Sequence, residues 1–269
     1  MVKRRLESIL LALALMAPGL AVGADTLRLA VAANFRACFE QLADRYQTET
    51  GNRIEPSYAS TGILYAQIIA GAPFDAFFSA DSKRVEKLVE QGFASAADRI
   101  TYAFGRLVLW IPAAREAPDA RHLAALLEDP RQRLAMANPN LAPYGRAARD
   151  TLEHLGLWQD HRRQFVIAPS VSQALHYVVS GGVSQGMVAY AQVVALKESD
   201  LSSRFPARDA SRLEQSYWSV PQDLYAPIQQ DAVALRGANL PGARAFVFWV
   251  RSPPVQSQIQ RCGYEVPDV

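Results

Sequence analysis

The chain has 269 residues, of which 50% are hydrophobic and 20% are charged. This is the composition of a globular protein with a sizeable core, and it excludes a disordered or collagen-like chain. The formal net charge of +2 is carried by the first 24 residues, so the rest of the chain is formally neutral. A neutral chain lacks the basic excess of a non-specific nucleic-acid binder, and we expect no nucleic-acid partner.

The N-terminal segment has the three parts of a secretory signal peptide. Three basic residues lie within the first five positions, an apolar stretch covers residues 9–17, and small residues end the segment at Ala24. The apolar stretch is shorter than the ~20 residues that a membrane-spanning helix needs. The pattern predicts a signal peptide over residues 1–24, cleaved near Ala24, and a periplasmic protein. The alternative is an uncleaved N-terminal anchor.

Short β-rich runs then alternate with helical patterns, which predicts an α/β protein. The predicted strands cover residues 27–32, 54–58, 74–78, 107–111, 134–137, 165–168, 186–189 and 228–235. The predicted helices cover residues 35–46, 63–69, 82–91, 145–155, 172–180, 243–251 and 255–261, and one further helix ends near Leu196. The segment 197–222 is polar and is predicted to be irregular.

The elements form two groups, before and after about residue 105, which predicts two lobes. No Gly/Ser-rich linker separates the groups, so we expect continuous strand through residues 101–106. A C-terminal segment that returned to the first lobe would add a second crossing strand, and two crossing strands make a hinge. Lobe I is then residues 25–104 plus 222–269, and lobe II is residues 105–221.

The two cysteines, Cys38 and Cys262, allow one disulfide in an oxidising compartment. A bridge between them requires the two ends of the mature chain to pack together. The alternative is a pair of buried free thiols, and both readings stay open because sequence does not give the distance between the Cα atoms.

Four strand-to-helix junctions carry small and polar residues, at residues 31–35, 58–62, 138–145 and 168–172. Ligands of open α/β sheets bind beyond the carboxyl ends of the strands, where helix N-termini present free N–H groups. The pattern suits a small anion held without a salt bridge. The alternative is that Asn34, Ser60 and Ser170 cap their own helices.

These junctions carry the motifs AVAANF (30–35), YASTG (58–62), NPNLAPYG (138–145) and SVSQA (170–174), and GAPFDAFFSAD lies at 71–81. On these motifs, residues 25–269 resemble the periplasmic molybdate-binding proteins, the substrate-binding components of molybdate ABC transporters. The resemblance implies a type II-like periplasmic binding protein fold, in which each lobe is a mostly parallel sheet flanked by helices. It also implies a monomeric solute-binding protein that has no enzymatic activity, uses no cofactor and has a membrane permease as its partner.

The resemblance implies a set of residues that bind the oxyanion: Asn34, Thr61, Tyr144 and Val171, with Ala33 and Ser60 as further candidates. Val171 would contribute its backbone N–H. Tyr190 stands one residue later than a tyrosine that some members use, and is not counted as a contact.

The candidate groups are all hydrogen-bond donors, and no junction contains Asp or Glu. Donors alone suit a fully deprotonated dianion, so we expect molybdate, and tungstate as well, bound through its oxygens with no metal ligated directly. A phosphate that keeps a proton needs an acceptor too.

Three alternatives compete with this interpretation. The first is a protein of the same fold that binds another oxyanion, such as sulfate or phosphate. The second is an exported enzyme, but the four histidines are scattered and neither H-E-x-x-H nor G-x-S-x-G occurs. The third is a transition-metal binder, which would need clustered His, Cys or carboxylate residues.

Overall fold

The computed structural model describes residues 25–196, 214–237 and 239–267. The predicted signal peptide at 1–24 and most of the segment predicted to be irregular, residues 197–213, lie outside the described residues. Within the described ranges, no helix combines the length and apolar character needed to cross a membrane.

Strands and helices alternate along the described chain, as the sequence predicts. The strands are β1 (Thr26–Ala32), β2 (Arg53–Ala59), β3 (Ala76–Phe78), β4 (Ala94–Gly105), β5 (Leu107–Trp110), β6 (Leu134–Ala137), β7 (Phe165–Ala168), β8 (Gln185–Ala189), β9 (Tyr217–Ser219) and β10 (Ile228–Leu235). The helices are α1 (Arg36–Thr50), α2 (Thr61–Ile69), α3 (Ser82–Glu90), α4 (Ala120–Glu128), α5 (Pro143–His154), α6 (Val171–Val179), α7 (Tyr190–Ala195), α8 (Leu240–Val250) and α9 (Pro253–Arg261).

Two five-stranded sheets organise these elements, in the orders β2-β1-β3-β10-β4 and β7-β6-β8-β5-β9. In the first sheet β10 is antiparallel to both of its neighbours, and in the second sheet β5 is. The remaining pairings are parallel. One strand in five therefore runs against the others, and each sheet is mostly parallel, as predicted.

The chain passes between the two sheets twice within the described residues. Strand β4 ends in the first sheet at Gly105 and β5 begins in the second at Leu107, so only Arg106 separates them. This crossing continues the strand predicted over residues 101–106. The second crossing runs from the end of β9 at Ser219 to the start of β10 at Ile228 and contains the 3₁₀ turn Gln222–Leu224. It is therefore not a strand, unlike the second crossing strand that was expected.

Some elements were not predicted from the sequence. Strand β4 already begins at Ala94, and β9 lies inside the segment predicted to be irregular. Both depend on pairing, β4 with β10 and β9 with β5. Helix α4 has a clear local cause, because the side chain of Asp119 accepts a hydrogen bond from the backbone N–H of His122 and caps it.

Helix α1 packs on the first sheet through side chains spaced three and four residues apart. Phe39 on this face contacts Phe78 and Phe246 edge-on, at ring-centroid distances of 5.3 and 5.8 Å. Cys38 on the same helix forms a disulfide with Cys262, with Cα atoms 5.8 Å apart. The two ends of the described chain therefore do pack together, and the helix stops at Gly51, whose φ of 76° favours glycine.

Candidate functional site

A small cavity lies where strand ends from both sheets meet. All four predicted junctions contribute to its lining, which consists of Ala32, Ala33, Asn34, Ser60, Thr61, Ala80, Ala142, Pro143, Tyr144, Ser170 and Val171. The structure thus brings every predicted site residue to one place. None of these described lining residues is acidic or basic, so a guest in the cavity meets no opposing formal charge.

Strand pairing explains why residues so distant in sequence converge. Strands β1 and β2 are parallel, with Ala32 opposite Ala59, so the residues that follow each strand lie side by side. Strands β6 and β7 are paired in the same way, with Ala137 opposite Ala168. The first turn of a helix has backbone N–H groups without intrahelical partners, and α2, α5 and α6 all begin at the cavity. Helix dipoles there favour an anion.

Ser60 has a buried hydroxyl without a hydrogen-bond partner. The residue is 4% exposed and precedes α2 at its N-cap position, yet its side chain makes no capping bond. Leaving a buried polar group unsatisfied costs about 1–3 kcal/mol. The Ser60 hydroxyl is therefore available to a guest in the cavity, and the alternative that it caps its own helix is wrong.

The hydroxyl of Ser170, unlike that of Ser60, has a partner within the protein. Its side-chain oxygen accepts a hydrogen bond from the backbone N–H of Gln173 at 3.2 Å, so it caps α6. Val171 follows as the first residue of that helix. Its backbone N–H belongs to the first turn and has no partner within the helix, as the resemblance requires of a donor.

Thr61 is buried, and its hydroxyl oxygen accepts a hydrogen bond from the backbone N–H of Ala80 at 3.0 Å. A hydroxyl has one proton and two lone pairs. Because the Ala80 N–H occupies a lone pair, the proton of Thr61 remains for an acceptor in the cavity.

Tyr144 lies in the first turn of α5 and is 1% exposed. Its hydroxyl oxygen accepts a hydrogen bond from Nε2 of Gln230 at 3.3 Å. Burial is the main reason why the pKa of Tyr144 is raised well above its usual value. The hydroxyl therefore stays protonated and can donate.

The side chain of Asn34 differs from what the sequence predicted. Both N–H groups of its side-chain amide are used within the protein, one by Oε1 of Gln230 at 2.8 Å and one by the hydroxyl of Tyr264 at 3.2 Å. The side chain is thus not the free donor that was expected. Asn34 lines the cavity within the 3₁₀ turn Ala33–Phe35 and leaves its backbone N–H for a guest.

Tyr190 does not line the cavity. The guanidinium carbon of Arg106 stacks 3.9 Å from the centroid of its ring, and the ring of Tyr217 lies 5.2 Å away on centroids. The structure agrees with leaving Tyr190 out of the candidate set.

Hydrogen bonds between the two lobes surround the cavity. The backbone N–H of Gly62 donates to the carbonyl of Leu141 at 2.8 Å, and Nη2 of Arg84 donates to the carbonyl of Asn140 at 3.0 Å. On another side, the Ser172 hydroxyl donates to the Ala33 carbonyl at 2.9 Å. These hydrogen bonds therefore join the two sides of the cavity.

The sequence interpretation missed the residues behind the cavity wall, namely Tyr102, Gly105, Gln230 and Tyr264. Gln230 and Asp231 are fully buried polar residues in strand β10, whose other residues except Gln229 are apolar, and such an interruption is a usable sequence signal. Gly105 offers no signal. A Cβ there would lie 2.1 Å from the Tyr144 hydroxyl oxygen, so only glycine fits beside that side chain.

Comparisons with known proteins identify the family of this chain. The family model for bacterial extracellular solute-binding proteins matches residues 27–265. The molybdate-binding protein ModA of Azotobacter vinelandii is 37% identical over 245 residues, 91% of each chain, and that of Rhodobacter capsulatus is 36% identical over 236 residues, 87% of this chain and 86% of the relative.

Among solved structures, the Azotobacter vinelandii periplasmic molybdate-binding protein superposes with a TM-score of 0.78 at 36% identity. The match covers 90% of this chain and 100% of that one. The names of these relatives describe molybdate-binding proteins. This chain therefore belongs to the bacterial extracellular solute-binding proteins and, among them, to the family of the periplasmic molybdate-binding proteins.

Proposed function

We propose that this protein is a periplasmic receptor that binds molybdate, and tungstate as well, in the cavity between its lobes and delivers it to the membrane permease of an ABC transporter. It acts as a monomer, binds reversibly and carries out no covalent chemistry. The names of its relatives support the ligand, and the donors around the cavity support the mode of binding.

The observation that carries the proposal is the Ser60 hydroxyl, which is buried in the cavity wall without any partner. Buried polar groups in proteins almost always have a partner. An oxyanion in the cavity supplies it, and a hydrogen bond to a charged acceptor is worth more than a neutral one.

The other cavity groups favour an anion without protons. Thr61 and Tyr144 each have an occupied lone pair and a remaining proton, and Asn34 and Val171 offer backbone N–H groups. Molybdate and tungstate accept hydrogen bonds on all four oxygens. Monohydrogen phosphate would bring a proton for which the lining has no carboxylate.

Closure of the lobes completes the receptor. We assign residues 25–104 plus 222–269 to lobe I and residues 105–221 to lobe II, which move relative to each other about the two crossing segments. The hydrogen bonds from Gly62 and Arg84 to the backbone at Leu141 and Asn140 form on closure. The closed lobes hold the anion away from water and present a joint surface to the permease.

Export precedes binding. The signal peptide over residues 1–24 directs the chain to the periplasm and is removed near Ala24. N-terminal sequencing of the secreted protein tests this step, and a mature chain that still began at Met1 would contradict it.

Calorimetric titration of anion-stripped mature protein tests the function. We expect one molybdate or tungstate per chain, and weaker binding of sulfate and phosphate. Tighter binding of sulfate or phosphate would instead indicate a receptor for that oxyanion, and no binding of any of the four would refute the proposal.

Ser60→Ala tests the site. The variant loses a donor to a charged acceptor, worth about 1.5–3 kcal/mol, so its molybdate affinity should fall about 10- to 150-fold. The thermal midpoint of the unliganded protein should not fall, because Ser60 has no partner in the protein. The matched control is Ser252→Ala, since Ser252 is also an N-cap serine without a capping bond but does not line the cavity. Equal affinity of the two variants would contradict the site.

A further inference from the structure

A chain of hydrogen bonds with a defined direction leads to the cavity from its rear wall. It begins at the backbone carbonyl of Asn34, which accepts from the Tyr264 hydroxyl at 2.8 Å. A carbonyl can only accept, so the position of the Tyr264 proton is set. The oxygen of Tyr264 then accepts from Nδ2 of Asn34 at 3.2 Å, which orients the Asn34 amide.

The oriented amide of Asn34 orients Gln230 in turn. The second N–H of Asn34 donates to Oε1 of Gln230 at 2.8 Å. The hydroxyl of Tyr102 lies 3.0 Å from the same atom and 3.2 Å from the carbonyl oxygen of Ser79, so the orientation of Gln230 rests on the Asn34 amide. If the oxygen and nitrogen of the Gln230 amide exchanged places, its N–H groups would face the N–H of Asn34, and neither could accept a hydrogen bond. Gln230 is 0% exposed, so no water compensates for a reversed amide.

The last hydrogen bond of this series reaches Tyr144. Nε2 of Gln230 donates to the Tyr144 oxygen at 3.3 Å. An N–H on one side of a phenolic oxygen leaves the hydroxyl proton to point elsewhere, since two hydrogens cannot face each other. The proton of Tyr144 is thereby directed to the cavity that Tyr144 lines.

We propose that Gln230 is the positioning residue that makes Tyr144 an obligatory donor and so makes the cavity discriminate against protonated oxyanions. The inference rests on the proposed function and extends it by naming a residue outside the cavity lining that sets specificity. If position 230 presented an acceptor to Tyr144 instead of an N–H, the Tyr144 hydroxyl would donate its proton to that acceptor. Its oxygen would then present a lone pair to the ligand. That lone pair would accept the proton of monohydrogen phosphate, which the present arrangement cannot do.

Gln230→Glu tests the inference at a pH at which the new carboxyl is ionised, because a carboxylate only accepts and so turns the Tyr144 proton away from the cavity. We expect molybdate affinity to fall at least about tenfold, the loss of one hydrogen bond to a charged acceptor. Phosphate should lose less, so the ratio of molybdate to phosphate affinity should fall.

A double-mutant cycle separates positioning from added charge. In a Tyr144→Phe background no hydroxyl remains to be turned, so Gln230→Glu should no longer change the affinity ratio. Should the Gln230→Glu variant fail to fold by circular dichroism, Gln230→Met serves instead, since it removes the N–H without adding charge and should lower the same ratio.

The outcomes distinguish this inference from the proposed function. Wild-type protein that binds molybdate, together with position-230 variants that keep the wild-type ratio, would overturn the role of Gln230 and leave the function standing. A ratio that shifts equally in the Tyr144→Phe background would overturn it as well. Wild-type protein that binds no molybdate would refute the function and with it this inference.

Discussion

Replacing Gly105 by alanine would place a methyl group against the Tyr144 hydroxyl. Gly105 ends β4, just before the chain crosses to the second sheet. A Cβ at this position would lie 2.1 Å from the hydroxyl oxygen of Tyr144, 2.8 Å from its Cζ and 2.8 Å from Nε2 of Gln230. Real Cβ atoms do not approach other heavy atoms this closely, so the Tyr144 ring must move.

The expected loss of molybdate affinity follows from the contacts that the displaced Tyr144 ring loses. Tyr144 would lose its hydrogen bond from Gln230 and its place in the cavity wall, and the loss of a donor to a charged acceptor corresponds to about 1.5–3 kcal/mol. Molybdate affinity should fall about 10- to 150-fold. Overpacking should also lower the free energy of unfolding by about 1–3 kcal/mol.

Calorimetric titration and denaturant unfolding measure the two effects. The matched control is Gly237→Ala, because a Cβ at Gly237 meets nothing within 4 Å and should change neither quantity. In a Tyr144→Phe background, Gly105→Ala should cost much less affinity, since the hydroxyl is already absent. Wild-type affinity of Gly105→Ala, or an equal loss in both backgrounds, would refute the reasoning.

The remaining predictions concern the aromatic residues, the disulfide and pH. Tyr144→Phe should weaken molybdate binding about 10- to 150-fold, whereas Tyr190→Phe should have little effect because its ring packs on Arg106 outside the cavity. The reverse order in titrations would place Tyr190 at the ligand. Cys38→Ser combined with Cys262→Ser should lower the free energy of unfolding by about 2–4 kcal/mol, since the bridge constrains an unfolded chain across 224 residues. Equal stability of the variant and the oxidised wild type in urea would contradict this. The free energy of unfolding should fall as pH rises above about 10. Burial raises the pKa of Tyr144 and of Tyr102 above that value, so these hydroxyls stay neutral in the folded protein while unfolded tyrosines ionise and draw the equilibrium towards unfolding. A stability that rose over this range would contradict the burial of these groups.

The amino-acid sequence by itself determined the alternation of strands and helices and the positions of the four junctions. These features depend on local causes, namely the period of the apolar residues and the glycines that end helices. It also determined that small and polar residues follow the strands, and parallel pairing then brings such strand ends to one edge. The proximity of Asn34 to Thr61 in the first sheet, and of Tyr144 to Val171 in the second, was predictable for this reason.

Only the tertiary structure decided which polar groups remain free for a ligand. Asn34, Ser60 and Ser170 look alike as polar residues at junctions, yet the amide of Asn34 bonds to Gln230, 196 positions away, Ser170 caps its own helix, and the Ser60 hydroxyl has no partner. The physical reason is that each donor and acceptor has few sites, and their occupancy depends on atoms brought together from distant parts of the chain. Spacing along the chain does not contain that information.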